Sequence, residues 1–130
     1  MNIRSGIDIT AVERIEKNAE NPRFLSRILT SVEQKYVQQK REQKGSTKTQ
    51  IANTIAGIFA AKEAVSKALQ TGLLKGIGFA DITIDHAEGG APVVLLSQKA
   101  QKLLSAAHKT SISIAHDGGF AVAVCTILEF

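Results

Sequence analysis

The run from Gln50 to Gln70 constrains the fold of this 130-residue chain more than any other segment. At 3.6 residues per turn, Ile51, Ile55, Ile58, Val65 and Leu69 form one apolar stripe, while Gly57, Ala60, Ala61, Ala64 and Ala68 form a face of small residues suited to close packing. A helix that is apolar on two faces must be covered on both, so the rest of the chain has to wrap around it. Glu63, Lys67 and Gln70 lie on the seam between the faces, a narrow polar line in packed surroundings. Thr71-Gly72 then closes the helix, with Gly72 suited to a left-handed cap.

The flanking segments predict what does the wrapping. A first strand through Gly6-Ile7-Asp8-Ile9 ends at Ile9, because Thr10-Ala11-Val12-Glu13 matches a capping box that opens a helix through about Asn18. Asn21-Pro22 starts a second helix, Thr30-Ser31-Val32-Glu33 opens a third toward Lys44, and Gly45 to Thr49 reads as a loop. Beyond the long helix, Asp81 to Asp85 alternates as a half-buried strand, and Glu88-Gly89-Gly90 turns into a second strand over Pro92 to Leu96. Ser97 caps a helix to about His108 that turns Leu103, Leu104 and Ala107 inward, and Ser111 to His116 pairs with Phe120 to Leu128 around Asp117-Gly118-Gly119. The order β-α-α-α-α-β-β-α-β-β predicts one α+β domain over 1–130, with a small, mainly antiparallel sheet packed against a long central helix.

Composition narrows the function classes. With 44% hydrophobic and 22% charged residues the chain belongs among globular proteins, and no apolar run approaches the length of a membrane span. The start lacks the layout of a signal peptide, so a cytoplasmic protein with no membrane partner is expected. Cys125 lies in an apolar run with no base at a matching strand position, which makes it a small packing residue. The net charge of +4 and pI near 9.4 suit an anionic partner: nucleic acid, a phosphate-rich cofactor or an acidic protein. A non-catalytic nucleic-acid-binding module would interleave surface aromatics with its basic residues, whereas this chain has one Tyr, no Trp and five Phe, mostly in apolar contexts. There is also no phosphate-binding Gly-rich loop ending in Lys-Ser or Lys-Thr.

The residues able to carry chemistry cluster in two motifs. Alternation points Asp8 to the opposite face from Ile7 and Ile9, and a carboxylate in an apolar strand is costly unless something binds it. Glu63 and Lys67, four apart, share a helix face; as a bare ion pair they are worth only about 0.2–0.5 kcal/mol, and that reading leaves unexplained why they interrupt two apolar faces. Two acids and a lysine together ask for a hard cation such as Mg²⁺ and a phosphate. Lys62 falls inside the Ile58 to Val65 stripe, where it either snorkels outward or meets a buried anion. Arg14 on the first helix, with Arg23 and Arg27 flanking Phe24 on the second, makes a basic face that is a solvated surface or a docking site.

Gly6-Ile7-Asp8 and Phe59-Ala60-Ala61-Lys62-Glu63-Ala64-Val65-Ser66-Lys67-Ala68 resemble the signatures of the holo-acyl-carrier-protein synthases, the small phosphopantetheinyl transferases, and the resemblance spans nearly the whole chain. It implies transfer of 4′-phosphopantetheine from coenzyme A to a serine of apo-acyl carrier protein, in support of fatty acid biosynthesis. Asp8 and Glu63 would hold Mg²⁺, Glu63 and Lys67 would be catalytic, and Lys62, Ser66, Lys67, Gly72, Gly90, Pro92 and His116 would line the coenzyme site. Gly90-Ala91-Pro92 and Ser113-Ile114-Ala115-His116 resemble family stretches near the coenzyme. Arg14, Arg23, Phe24 and Arg27 would dock the acidic carrier, and the short chain implies a homotrimer with shared sites. The chain departs from the family at Ile58, where arginine is frequent, and at Gln70-Thr71-Gly72, where Gly-Thr-Gly is frequent.

Overall fold

In a computed structural model, residues 1–70 and 76–130 are described; Gly72, expected to cap the long helix and line the coenzyme site, lies outside them. The elements run β1 (Asn2–Ala11), α1 (Val12–Glu16), α2 (Pro22–Ile28), α3 (Ser31–Glu42), α4 (Lys48–Ala68), a 3₁₀ turn (Phe79–Asp81), β2 (Ile82–His86), β3 (Pro92–Leu96), α5 (Gln98–Gln101), β4 (His108–Asp117) and β5 (Phe120–Glu129). This is the α+β order read from the sequence. β5 pairs antiparallel with β1 on one side and β4 on the other, and β2 pairs antiparallel with β3 as a separate hairpin.

Helix α4 is the axis. Ile51, Ile55, Ile58, Val65 and Leu69 are buried, and so are Gly57, Ala60, Ala61, Ala64 and Ala68. Small side chains let the helix lie close on the inner face of the three-stranded sheet, where Ala121, Ala123, Cys125 and Ile127 of β5 are fully buried. Gly6 of β1 shows how close: a Cβ there would sit 2.1 Å from the Ala64 carbonyl oxygen and 2.6 Å from the Ala68 nitrogen, so no other residue fits without moving the strand. Cys125 is a packing residue as expected, and burial pushes its thiol up to about 11.

Local signals set several boundaries. Asn21 caps α2 through its side chain, and Thr30 and Glu33 form the expected capping box of α3. α4 starts slightly earlier than expected because Thr47 and Gln50 make a second box. Gly118 and Gly119, at φ +57° and +84°, give β4 and β5 a two-residue turn that requires positive φ at both positions.

At two boundaries a tertiary contact overrides the local signal. Thr10 does not cap α1: β1 runs on to Ala11, the Thr10 hydroxyl donates to Asp8 Oδ2 at 3.0 Å, and the Val12 N–H is taken by the Gly119 carbonyl at 2.9 Å. The helix after Ser97 is a single turn, α5, rather than reaching His108, and only Leu104 of its expected inward residues is buried. The chain is pulled away by the end of the sheet: Glu129 accepts from the Ser105 N–H at 2.8 Å, and Arg4 donates to the Leu103 carbonyl at 3.2 Å. Glu129 also takes Arg4 Nε at 2.6 Å and Asn2 at 2.9 Å, and these donors hold its carboxyl down at about 2.

Candidate active site

Asp8 and the α4 seam meet because β1 lies against the C-terminal half of α4. Asp8 projects to the helix side while Ile7 and Ile9, at 60% and 63% exposure, face outward. Lys67 Nζ donates to the Ile7 carbonyl at 2.9 Å and to Asp8 Oδ1 at 3.2 Å, yet its side chain is half exposed. Burial raises the Glu63 carboxyl above the usual carboxylate range; the Asp8 charge pushes the same way, and Lys67 and Arg14 oppose them. Asp8, Glu63 and Lys67 therefore share one electrostatic site, with Arg14 at its edge, its guanidinium 5.6 Å above the Phe59 ring. In Asp8→Asn the Glu63 carboxyl should titrate lower than in the parent without returning to the ordinary value, because burial is the larger cause. Carboxyl ¹³C NMR reads this, and an unchanged titration would separate the two acids.

The structure places other expected ligands elsewhere. Lys62 is fully buried and donates to Glu33 Oε1 at 2.6 Å, resolving its alternatives in favour of a buried anion and committing its ammonium to the core. Burial holds its ammonium below the usual lysine range, with Glu33 opposing. Glu33 also accepts the Thr30 N–H at 2.8 Å and the Ile84 N–H at 2.7 Å, so the pair ties α3, α4 and β2 together. Its dual role was invisible in a sequence where it reads only as a capping residue. Ser66 is likewise buried, its hydroxyl donating to the Glu63 carbonyl at 2.8 Å, so it supports the helix rather than presenting a ligand group. Arg23 and Arg27 are exposed on α2, whereas Phe24 packs half-buried on the core and is no exposed anchor.

Gly90, Pro92 and His116 do come together. With Tyr36, Thr54, Gly57, Ile58, His86 and Ile114 they line a cavity of about 210 Å³. His116 also borders a neighbouring cavity of about 470 Å³ that includes Lys40, Lys44, Ser46 and Asn53. Sequence reasoning missed the two lysines, which lie on the polar end of α3 and in the loop after it, with no motif to mark them. His116 packs beside Gly57, six residues before Glu63, or roughly 9 Å along the helix axis, so within one chain it stands apart from the carboxylates.

An antiparallel α+β fold with paired carboxylates and a lysine where the first strand meets a central helix is an arrangement suited to phosphoryl-group transfer. Residues 4–125 match the family model of the 4′-phosphopantetheinyl transferase superfamily, and the chain belongs to that family. It is 41% identical to a holo-[acyl-carrier-protein] synthase of Campylobacter lari, over 94% of this chain and 96% of the relative. Among solved structures it is similar to the Helicobacter pylori holo-[acyl-carrier-protein] synthase in complex with coenzyme A, with 38% identity, a TM-score of 0.76 and coverage of 93% and 96% of the two chains. A Bacillus anthracis holo-(acyl-carrier-protein) synthase in complex with CoA (3′,5′-ADP) is 36% identical at a TM-score of 0.75, with 95% and 94% covered.

Proposed function

We propose that this chain transfers the 4′-phosphopantetheine arm of coenzyme A to a serine of apo-acyl carrier protein, giving holo-acyl carrier protein and adenosine 3′,5′-bisphosphate. The observation that carries this reading is the meeting of Asp8, Glu63 and Lys67 in a chain whose family relatives are holo-acyl-carrier-protein synthases. A serine hydroxyl attacks the β-phosphorus, the bond from that phosphorus to the bridging oxygen breaks, and the hydroxyl proton passes to a base. Glu63, on the α4 seam beside Asp8 and Lys67, is the base we favour. Lys67, tethered to Asp8 and half exposed, can turn its ammonium onto a phosphate oxygen as charge grows there.

The donor set fits Mg²⁺: Asp8 and Glu63 offer hard oxygens, and no third His, Cys, Asp or Glu joins them among the described residues, which suits a cation completed by substrate phosphates and water. When bound, Mg²⁺ supplies charge neutralisation across the pyrophosphate. Lys40 and Lys44 offer cationic groups for the phosphorylated nucleotide end of coenzyme A, beside Gly90, Pro92 and His116. Arg14, Arg23 and Arg27 would meet the acidic carrier.

We place the complete site between copies in a homotrimer. Ile3, Ile7, Ile9 and Val124 are 67%, 60%, 63% and 40% exposed on the outer face of β1 and β5, a patch suited to burial against another subunit. Such packing would bring His116 and the Gly90 turn of one chain toward Asp8 and Glu63 of the next. No helix among the described residues is long and apolar enough to cross a membrane. By the proposed reaction the chain would serve fatty acid biosynthesis in the cytoplasm. Nucleic-acid binding finds no support in the relatives. Incubation with coenzyme A, Mg²⁺ and apo-acyl carrier protein should add one phosphopantetheine to the carrier by intact mass, and an unmodified carrier would overturn the reading. Glu63→Ala mixed with His116→Ala should regain activity if the site is shared; exchange of subunits without recovery would refute sharing.

A further inference from the structure

Asp8 and Thr10 stand two apart on the inner face of β1, which they share with Gly6, while Ile3, Ile7 and Ile9 face outward. Thr10 is buried at 2% exposure and lies opposite the fully buried Ala121 of β5. A buried hydroxyl needs a partner, and among the described residues Thr10 Oγ1 bonds to Asp8 Oδ2 alone, at 3.0 Å. An ionised carboxylate only accepts, so the hydroxyl spends its one proton there.

The two oxygens of Asp8 are therefore held by donors of different character. Oδ1 accepts from Lys67 Nζ at 3.2 Å, but that ammonium ends a long, half-exposed side chain that is free to leave for solvent or a phosphate. Thr10 has no such freedom, because a β-branched side chain in a strand is stiff and a buried hydroxyl is out of reach of solvent. Magnesium demands near-ideal octahedral geometry of its ligands, so a carboxylate that turned freely about its Cβ–Cγ bond would serve it poorly. Carboxylates that bind metals are commonly fixed by hydrogen bonds from a neighbouring residue. Resting on the reading of Asp8 as a metal ligand, we propose that the Thr10 hydroxyl pins Oδ2 and so presents Oδ1 to the α4 seam as the oxygen that the divalent cation takes, with Lys67 as the donor that yields it. Thr10 is then a positioning residue of the metal site.

Titration of the free protein with Mn²⁺, followed by paramagnetic broadening of the amide signals around Asp8, tests this without turnover. Thr10→Val keeps the size and branching of the side chain and removes the donor. The Asp8 side chain is 16% exposed and can take a water instead, so circular dichroism should show the fold retained. Mn²⁺ should bind this variant roughly tenfold more weakly than the parent, the lower end of the loss seen when a residue supporting a metal ligand is removed. Thr10→Ser restores the hydroxyl on a smaller side chain and should recover most of the affinity, which a role in packing alone would not give. In the transfer assay the Mg²⁺ concentration for half-maximal rate should rise in Thr10→Val by a larger factor than kcat falls. Equal Mn²⁺ affinity in Thr10→Val and the parent would overturn the proposal and leave Asp8 as a ligand, as would a loss that Thr10→Ser fails to recover. If Mn²⁺ broadens no signal around Asp8 in the parent, the metal reading itself falls, and the proposal with it.

Discussion

Asp8→Ala and Glu63→Ala should each lower phosphopantetheine transfer by roughly a hundred- to a thousandfold or more, the scale seen when one group aimed at transition-state charge is removed. Glu63→Gln should fail as well, since it keeps the shape of the side chain but loses its charge and its ability to take a proton. Thermal unfolding should change little in Glu63→Ala, because Glu63 is only partly buried, and fall modestly without loss of the fold in Asp8→Ala, whose carboxylate accepts from the buried Thr10 hydroxyl as well as from the half-exposed Lys67. Initial rates at limiting Mg²⁺, with coenzyme A and apo-carrier in excess, read the effect. Near-normal turnover in either alanine variant would remove the paired-carboxylate site.

The second large effect is on stability and comes from Lys62. Replacing it with methionine leaves the Glu33 carboxylate fully buried without its cation, which costs roughly 3–5 kcal/mol. Against a total of about 5–15 kcal/mol for a domain, that is enough to bring the fold near its limit. Glu33→Gln combined with Lys62→Met should regain a large part of the loss, because the amide is neutral and its oxygen still accepts one of the Thr30 and Ile84 N–H groups. Urea unfolding of the three proteins makes the comparison. A Lys62→Met chain as stable as the parent would show that the pair does not hold α3, α4 and β2 together.

These two predictions rest on neighbouring residues whose fates the sequence did not distinguish equally well. Glu63 and Lys67 could be placed beside one another by helical pitch alone, and Asp8 could be turned to the opposite face from Ile7 and Ile9 by strand alternation. Lys62 could only be recognised as anomalous: a lysine in an apolar stripe has a cause, but its partner lies 29 residues away on α3. Ser66 matched a motif and was expected at the coenzyme, yet its position on α4 buries it.

What the sequence by itself determined is what short-range physics governs. The two apolar faces of α4, the Asn21 and Thr30 caps and the Gly118-Gly119 turn each depend on residues within a few positions of one another, so their chemistry is complete in the local string. Tertiary structure decided every case in which a distant group competed for a local one. The Gly119 carbonyl took the Val12 N–H at the start of α1, and Arg4 and Glu129 drew the chain out of α5 after one turn. Glu33 took Lys62 into the core, and a bare helix surface at Gly57 let His116 reach the Asn53 carbonyl. Each of these contacts joins segments far apart in the chain, and only the packing of the sheet and of α3 around α4 brings such groups within bonding distance.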